Sequence, residues 1–192
     1  STAALPTAAQ HTTPDLFAAP AATTPATATA AAATPAPTAI PQPPAPVAQH
    51  YSTITTWAEF DTWLAAINAA ALTAIDTETT SLHAMQAQLI GISLCVQAGH
   101  AAYIPLGHEG ADTPEQLPLQ AVLDKLRPWL EDANKPKLGQ HIKYDSHVFA
   151  NHGLTIRGYQ HDTMLQSYVL EAHKPHSLES LALRHLGRSG AS

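Results

Sequence analysis

Charge is scarce in this chain, and its sign is wrong for a protein that grips nucleic acid by electrostatics alone. Only 12% of the 192 residues are Asp, Glu, Lys or Arg, and 9 basic side chains against 15 acidic ones give a formal net charge of −6. A polyanionic substrate would therefore need local neutralisation by bound metal rather than by a lysine-rich face. Cysteine is nearly absent: Cys95 stands alone, which excludes an internal disulfide and fits a reducing compartment. No apolar run is long enough to span a bilayer. The start of the chain lacks the basic n-region and continuous apolar stretch of a signal peptide. These absences lead to the expectation of a soluble cytoplasmic protein. A first residue that is Ser rather than Met adds the expectation of a piece taken from a longer chain.

What is present divides near residue 50. From Ser1 to His50 the chain is mostly Ala, Pro and Thr, and Asp15 is its only Asp, Glu, Lys or Arg. Few large apolar groups are available there to offset the entropy of ordering, and recurrent proline breaks any helix the alanines begin. We read residues 1–50 as a disordered interdomain linker and residues 51–192 as a globular α/β domain. In the latter, Thr56 and Glu59 form a capping box ahead of Trp57, Phe60, Trp63, Leu64 and Ile67 at helical spacing. "ALTAID" is a short strand, and "QLIGISLCV" and "AAYIPL" around "QAGH" are a hairpin. A helix through Leu119, Val122, Leu123, Leu126 and Leu130 follows, with Pro128 expected to bend it. "KPKLGQ" is a brief strand leading into a helix from about His141 to Asn151. Two more helices are expected, capped by Asp162 and Ser177, the second ended by Gly187. Strands first, then helices interleaved with one more strand, indicate a mixed sheet packed by helices.

The chemistry concentrates at two places. Alternation along a strand sends Asp76 and Glu78 to one face at the end of "ALTAID", with Thr77 on the other. Two carboxylates so placed repel unless a cation lies between them, although an ordinary acidic strand end in water has the same spacing. In "GQHIKYD", i,i+4 spacing puts Asp145 one turn after His141 on the same helical face. Hard divalent cations prefer carboxylate oxygens, and two of them about 3.5–4 Å apart can clamp the attacking and leaving oxygens of a phosphodiester. Asp76, Glu78 and Asp145 supply three ligands for such a site.

Taken in order, "AIDTETTSL", "AAYIPLGHE", "LGQHIKYD", "HDTMLQSYVLEA" and "HSLESLALRHLG" resemble the proofreading 3′→5′ exonuclease domain attached to bacterial DNA polymerase I, from about Tyr51 to Gly187. The resemblance implies a ribonuclease H-like fold, a mixed sheet flanked by helices. It implies hydrolysis of a single-stranded or frayed DNA 3′ end, releasing nucleoside 5′-monophosphates, with two divalent metal ions (Mg²⁺ or Mn²⁺) as cofactors. On this resemblance Asp76, Glu78 and Asp145 are the catalytic, metal-holding carboxylates. Leu82 wedges against the terminal bases and Thr79 lies beside the terminal nucleotide. Gln140 and Tyr144 line or support the site, and Lys143 could meet substrate phosphate. The partners implied are covalently linked polymerase and 5′-nuclease domains, in a bacterial, nucleoid-associated setting.

The sequence departs from that family twice. His141 stands where the family usually has Asn, for which modest tuning is expected, because a neutral imidazole still donates one hydrogen bond. The family's third motif, Tyr-x-x-x-Asp, does not occur after "GQHIKYD". The domain is therefore expected to be cut short and to be weak or inactive alone. A ribonuclease D-like exonuclease and a non-catalytic interaction or spacer module are the alternatives. Zinc on His108, His147, His152, His161, His173 and His176 is disfavoured, since no second cysteine and no His-x-x-x-His pair with a nearby Glu accompanies them.

Overall fold

Two residues, Ala98 and Gly99, separate the strands of the central hairpin, and Gly99 takes the positive φ of 80° that so tight a reversal needs. The computed structural model describes residues 48–189 except 112 and 114, so the linker expected over residues 1–50 falls outside them but for its last three positions. The elements are β1 (His50–Thr53), α1 (Trp57–Ala69), β2 (Thr73–Thr79), β3 (Leu89–Gln97), β4 (His100–Pro105), α2 (Leu119–Leu130), β5 (Lys137–Gly139), α3 (Ile142–Asn151), β6 (Tyr159–Asp162), α4 (Thr163–Glu171) and α5 (Leu178–Leu186). The strands form one mixed sheet in the order β1-β4-β3-β2-β5-β6. β2/β3 and β3/β4 are antiparallel, while β1/β4, β2/β5 and β5/β6 are parallel.

The helices begin where the sequence signals them. Thr56 and Glu59 make the reciprocal capping box of α1. Asp162 caps α4, and Ser177 caps α5, which ends at left-handed Gly187. One apolar cluster fills the space between the sheet and the first three helices. It joins Phe60, Trp63 and Ile67 of α1, Val122, Leu123, Leu126, Trp129 and Leu130 of α2, and Val148 and Phe149 of α3 to Ile75, Leu89, Ile92, Leu94, Ala102 and Ile104 of the strands. Helix α2 continues through Pro128 to Leu130, the proline leaving the Asp124 carbonyl one turn back without its helical N–H donor.

Two strands lie outside the expected set, and both are at the sheet's edges. β1 (HYST) is exposed along its whole length, and β6 (YQHD) buries only Asp162 well. Neither has an apolar alternation to reveal it; backbone pairing to β4 and to β5 makes them strands. A second difference concerns His141, expected on the same helical face as Asp145. It lies outside α3, in the left-handed region at φ 63°, with an exposed side chain, whereas Asp145 is buried.

Candidate active site

β2 carries its residues alternately: Ile75 and Thr77 into the core, Asp76 and Glu78 onto the exposed face. Asp76 sits opposite Ser93, and Glu78 opposite Gly91. Gly91 has a steric role, because a Cβ there would lie 1.9 Å from the Tyr103 Oη, so the phenol of β4 crosses over the glycine. Burial, and then the Glu78 charge, push the Tyr103 hydroxyl pKa up, and its Oη is 2.5 Å from Nε2 of His108. Desolvation, followed by repulsion from Glu78, raises the Asp76 pKa. The two carboxylates therefore lie close enough to feel each other, as their shared face requires.

The third carboxylate arrives from the opposite face. Between β5 and α3 the chain turns through Gly139, Gln140 and left-handed His141, and a Cβ at Gly139 would fall 2.6 Å from Cγ2 of Ile142. That turn sets α3 so that Asp145, 2% exposed, lies beneath β2. Its Oδ1 accepts from the Thr77 hydroxyl at 2.6 Å and the Thr77 amide at 3.2 Å. Burial pushes the Asp145 pKa up to about 6, with the negative charge of Asp76 adding to the shift and the Thr77 hydrogen bonds opposing it. The Tyr159 hydroxyl, on β6, is buried with no hydrogen-bond partner among the described residues, and burial plus the charges of Asp145, Asp76 and Asp162 raise its pKa.

Around these groups stand the other residues singled out from the sequence. Leu82 is 94% exposed in the segment between β2 and β3. Tyr144 holds the start of that segment: its hydroxyl donates to the Ser81 carbonyl at 2.5 Å and meets Thr79 Oγ1 at 2.5 Å. Gln140 is turned to the other side, donating to the His176 carbonyl at 2.9 Å and accepting from Thr163. Lys143 is exposed. Thr77, Tyr159 and Asp162 are the polar groups the sequence reading passed over as site residues. Asp162 was visible only as a helix cap, and nothing local in "YQHD" marks a phenol that reaches two other elements.

The pairing of a strand-end Asp-x-Glu with a helical aspartate through Thr77 is joined by a match over most of the chain. Residues 51–190 match the family described as 3′-5′ exonuclease. The chain belongs to that family. It is similar to DNA polymerase I of Pseudomonas aeruginosa, 49% identical over 142 residues, covering 72% of this chain and 16% of the relative. The chain thus spans about a sixth of the length of that polymerase. Among solved structures, Escherichia coli RNase D, an exoribonuclease involved in structured RNA processing, superposes with a TM-score of 0.55 at 22% identity over 74% of this chain and 35% of that one. Brucella melitensis NrnC with bound Mg²⁺ gives a TM-score of 0.52 at 19% identity over 76% and 65%. At those identities the two structures support the ribonuclease H-like fold of this exonuclease domain.

Among the described residues, no group of three or more His, Cys, Asp or Glu side chains converges tightly enough to hold a metal ion. Asp145 instead turns its Oδ1 to Thr77. The donor set nevertheless fits a hard divalent cation. Burial and the Glu78 charge raise the Asp76 pKa, and burial and the Asp76 charge raise that of Asp145. No Lys or Arg among the described residues forms an ion pair with any of the three carboxylates, and the buried Tyr159 hydroxyl faces the charges of Asp145 and Asp76 without a partner.

Proposed function

We propose that residues 51–192 form the 3′→5′ exonuclease domain of a DNA polymerase I and hydrolyse single-stranded or frayed DNA from its 3′ end, releasing nucleoside 5′-monophosphates. Residues 1–50 act as the tether to a preceding 5′-nuclease domain, and a polymerase domain follows, in a bacterial cytoplasm. The observation that carries this reading is the strand-end pair Asp76 and Glu78 on one face, with Asp145 lodged below it on Thr77. Two divalent cations, Mg²⁺ or Mn²⁺, when held by these carboxylates, supply charge neutralisation at the phosphate and activation of the attacking water.

The chain's own residues do the rest. Asp76 and Glu78 face the substrate side and fix where the scissile phosphate sits. Leu82, exposed on its segment, wedges against the terminal bases, and Thr79 contacts the last nucleotide. Tyr144 holds both in place through its hydrogen bonds to Thr79 and Ser81. Lys143 points into solvent, where it can meet a backbone phosphate; Gln140 and His141 support the turn before α3. A frayed mismatched end reaches this site more easily than a paired one, so the domain removes misincorporated nucleotides.

A longer form that also carries a Tyr-x-x-x-Asp, which does not occur after "GQHIKYD" in this sequence, should be more than about 10²-fold faster than this chain. The test gives both forms a 5′-labelled single-stranded DNA with Mg²⁺ or Mn²⁺, with Asp76→Ala as the control. Laddering from the 3′ end by the longer form, lost in the variant, supports the reading. Silence from both forms, without metal binding, would favour the non-catalytic module. The likeness to RNase D keeps a second substrate class in the design: an equivalent RNA strand degraded faster than the DNA would shift the reading to a ribonuclease.

A further inference from the structure

Helix α3 carries Asp145, yet it has no cap of its own: His141, at its N-cap, makes no side-chain capping hydrogen bond. The N–H groups left open there are satisfied from twenty residues away. Asp162 Oδ1 accepts from the His141 amide at 3.1 Å, and Oδ2 accepts from the Ile142 amide at 3.0 Å. The same Oδ1 also accepts from the Met164 and Leu165 amides, at 3.0 and 3.2 Å, at the start of α4. One carboxylate thus receives four N–H groups from two helix N-termini while 8% exposed, with no Lys or Arg ion pair among the described residues. Partial positive charge at the two helix ends stabilises it in place of a cation.

An ordinary cap of α4 requires only the Met164 and Leu165 contacts. The His141 and Ile142 contacts are additional, and they fall on the residue whose left-handed backbone aims α3. Asp145 is three residues beyond Ile142, so any rotation of that first turn moves its carboxylate relative to Thr77 and β2. β6 is itself fixed beside β5, with Asp162 registered opposite Gly139, the residue at which the turn starts. We propose that Asp162 is a positioning residue for the Asp145 carboxylate, acting through the His141–Ile142 turn and not through contact with substrate. The inference rests on the exonuclease reading above.

Its test uses the longer form with five variants: Asp76→Ala, Asp145→Ala, Asp162→Asn, Asp162→Ser and the Asp145→Ala/Asp162→Ser double variant. Asn keeps one acceptor oxygen and puts an N–H₂ against one set of amides; Ser keeps the α4 cap and is too short to reach α3 as well. Each is measured for kcat and KM on a 5′-labelled DNA strand, for Mn²⁺ binding by titration calorimetry, and for thermal stability. Both Asp162 variants should lose about 10–100-fold in kcat, with a matching loss of Mn²⁺ affinity and KM for DNA within about twofold, the scale of groups that orient metal ligands. In an Asp145→Ala background, Asp162→Ser should cost nothing further, since the residue it positions is gone. A folded Asp162→Ser with unchanged kcat and Mn²⁺ binding, or losses that multiply with Asp145→Ala, overturns the inference while leaving the exonuclease reading intact. Full activity in Asp76→Ala overturns both.

Discussion

Asp145 joins a buried position to a carboxyl group that would have to ionise to serve as the metal ligand proposed above. Its pKa is about 6 in the fold against an ordinary 3.8, chiefly because burial desolvates the charged form. Between those values the folded chain binds more protons than the unfolded one, so the group's contribution to stability declines as pH rises through the window and remains unfavourable above it. Replacing it with Asn, which can still accept from Thr77, should therefore be neutral at pH 4 and stabilising by about 2–3 kcal/mol above pH 6.5 without metal. Chemical denaturation of both proteins across that range checks this; an equal difference at all pH values would contradict it. Mg²⁺ should raise the melting temperature of the wild type above pH 6.5 by more than that of Asp145→Asn. His141 offers a different lesson. Spacing suggested a helical residue paired with Asp145, because counting i to i+4 carries no information about φ, which is 63° here. Asn and His tolerate the left-handed region better than most residues, so the Asn usual in the family answers a backbone requirement as much as a substrate contact. His141→Asn should leave stability within about 0.5 kcal/mol, and His141→Ala should lose about 1 kcal/mol. A stabilising Ala, measured by urea denaturation, would remove this explanation.

At the scale of elements, what was legible is what burial writes into sequence. The capped helices, the central hairpin and the carboxylates of β2 all follow from apolar periodicity and alternation, so they were readable before any coordinates. The edge strands β1 and β6 are held by backbone pairing, which leaves no side-chain signature, and the site's cross-element contacts (Thr77 to Asp145, Asp162 to Ile142) join residues far apart in sequence. The interior strand β5, next to edge strand β6, is only three residues long and relies on an unusual support. Lys137 is 0% exposed; its Nζ donates to the carbonyls of Asp132 and Lys135 and lies 4.4 Å from the centre of the Trp129 ring. Burial holds its pKa down to about 8, opposed by the charge of Asp132. The unfolded chain then binds more protons between pH 8 and about 10.5, so this lysine's contribution to stability improves as pH rises there. Lys137→Met should lack that improvement, the wild type gaining about 1–3 kcal/mol on the variant from pH 7.5 to 10. Parallel denaturation curves over that range would show that the ammonium is better solvated than its position implies.

For the molecule as a whole, the two faces of the sheet are treated unequally. Helices α1, α2 and α3 share the single apolar cluster, whereas α5 buries no residue and α4 buries only Ser167. Those two helices are joined instead by polar contacts, Glu171 pairing with Lys174 and Arg184, and Ser167 Oγ lying 2.8 Å from His176 Nδ1. Leu165, Val169, Leu170, Leu178, Leu183 and Leu186 are left exposed. Beside them, a cleft of about 340 Å³ is lined by Ala74, Asp76, Cys95, Ala101, Leu138 and Leu178, so bare apolar surface reaches the Asp76 carboxylate. Contiguous exposure of this kind favours association. The 192-residue chain should self-associate at tens of micromolar in sedimentation velocity, and Leu170→Lys with Leu183→Glu should return it to monomer. In a longer form whose additional residues cover the same surface, that double substitution should change sign in its effect and lower the melting temperature. A wild-type chain that stays monomeric, and tolerates the substitutions equally in both forms, would show that α4 and α5 are a solvent-facing surface in their own right.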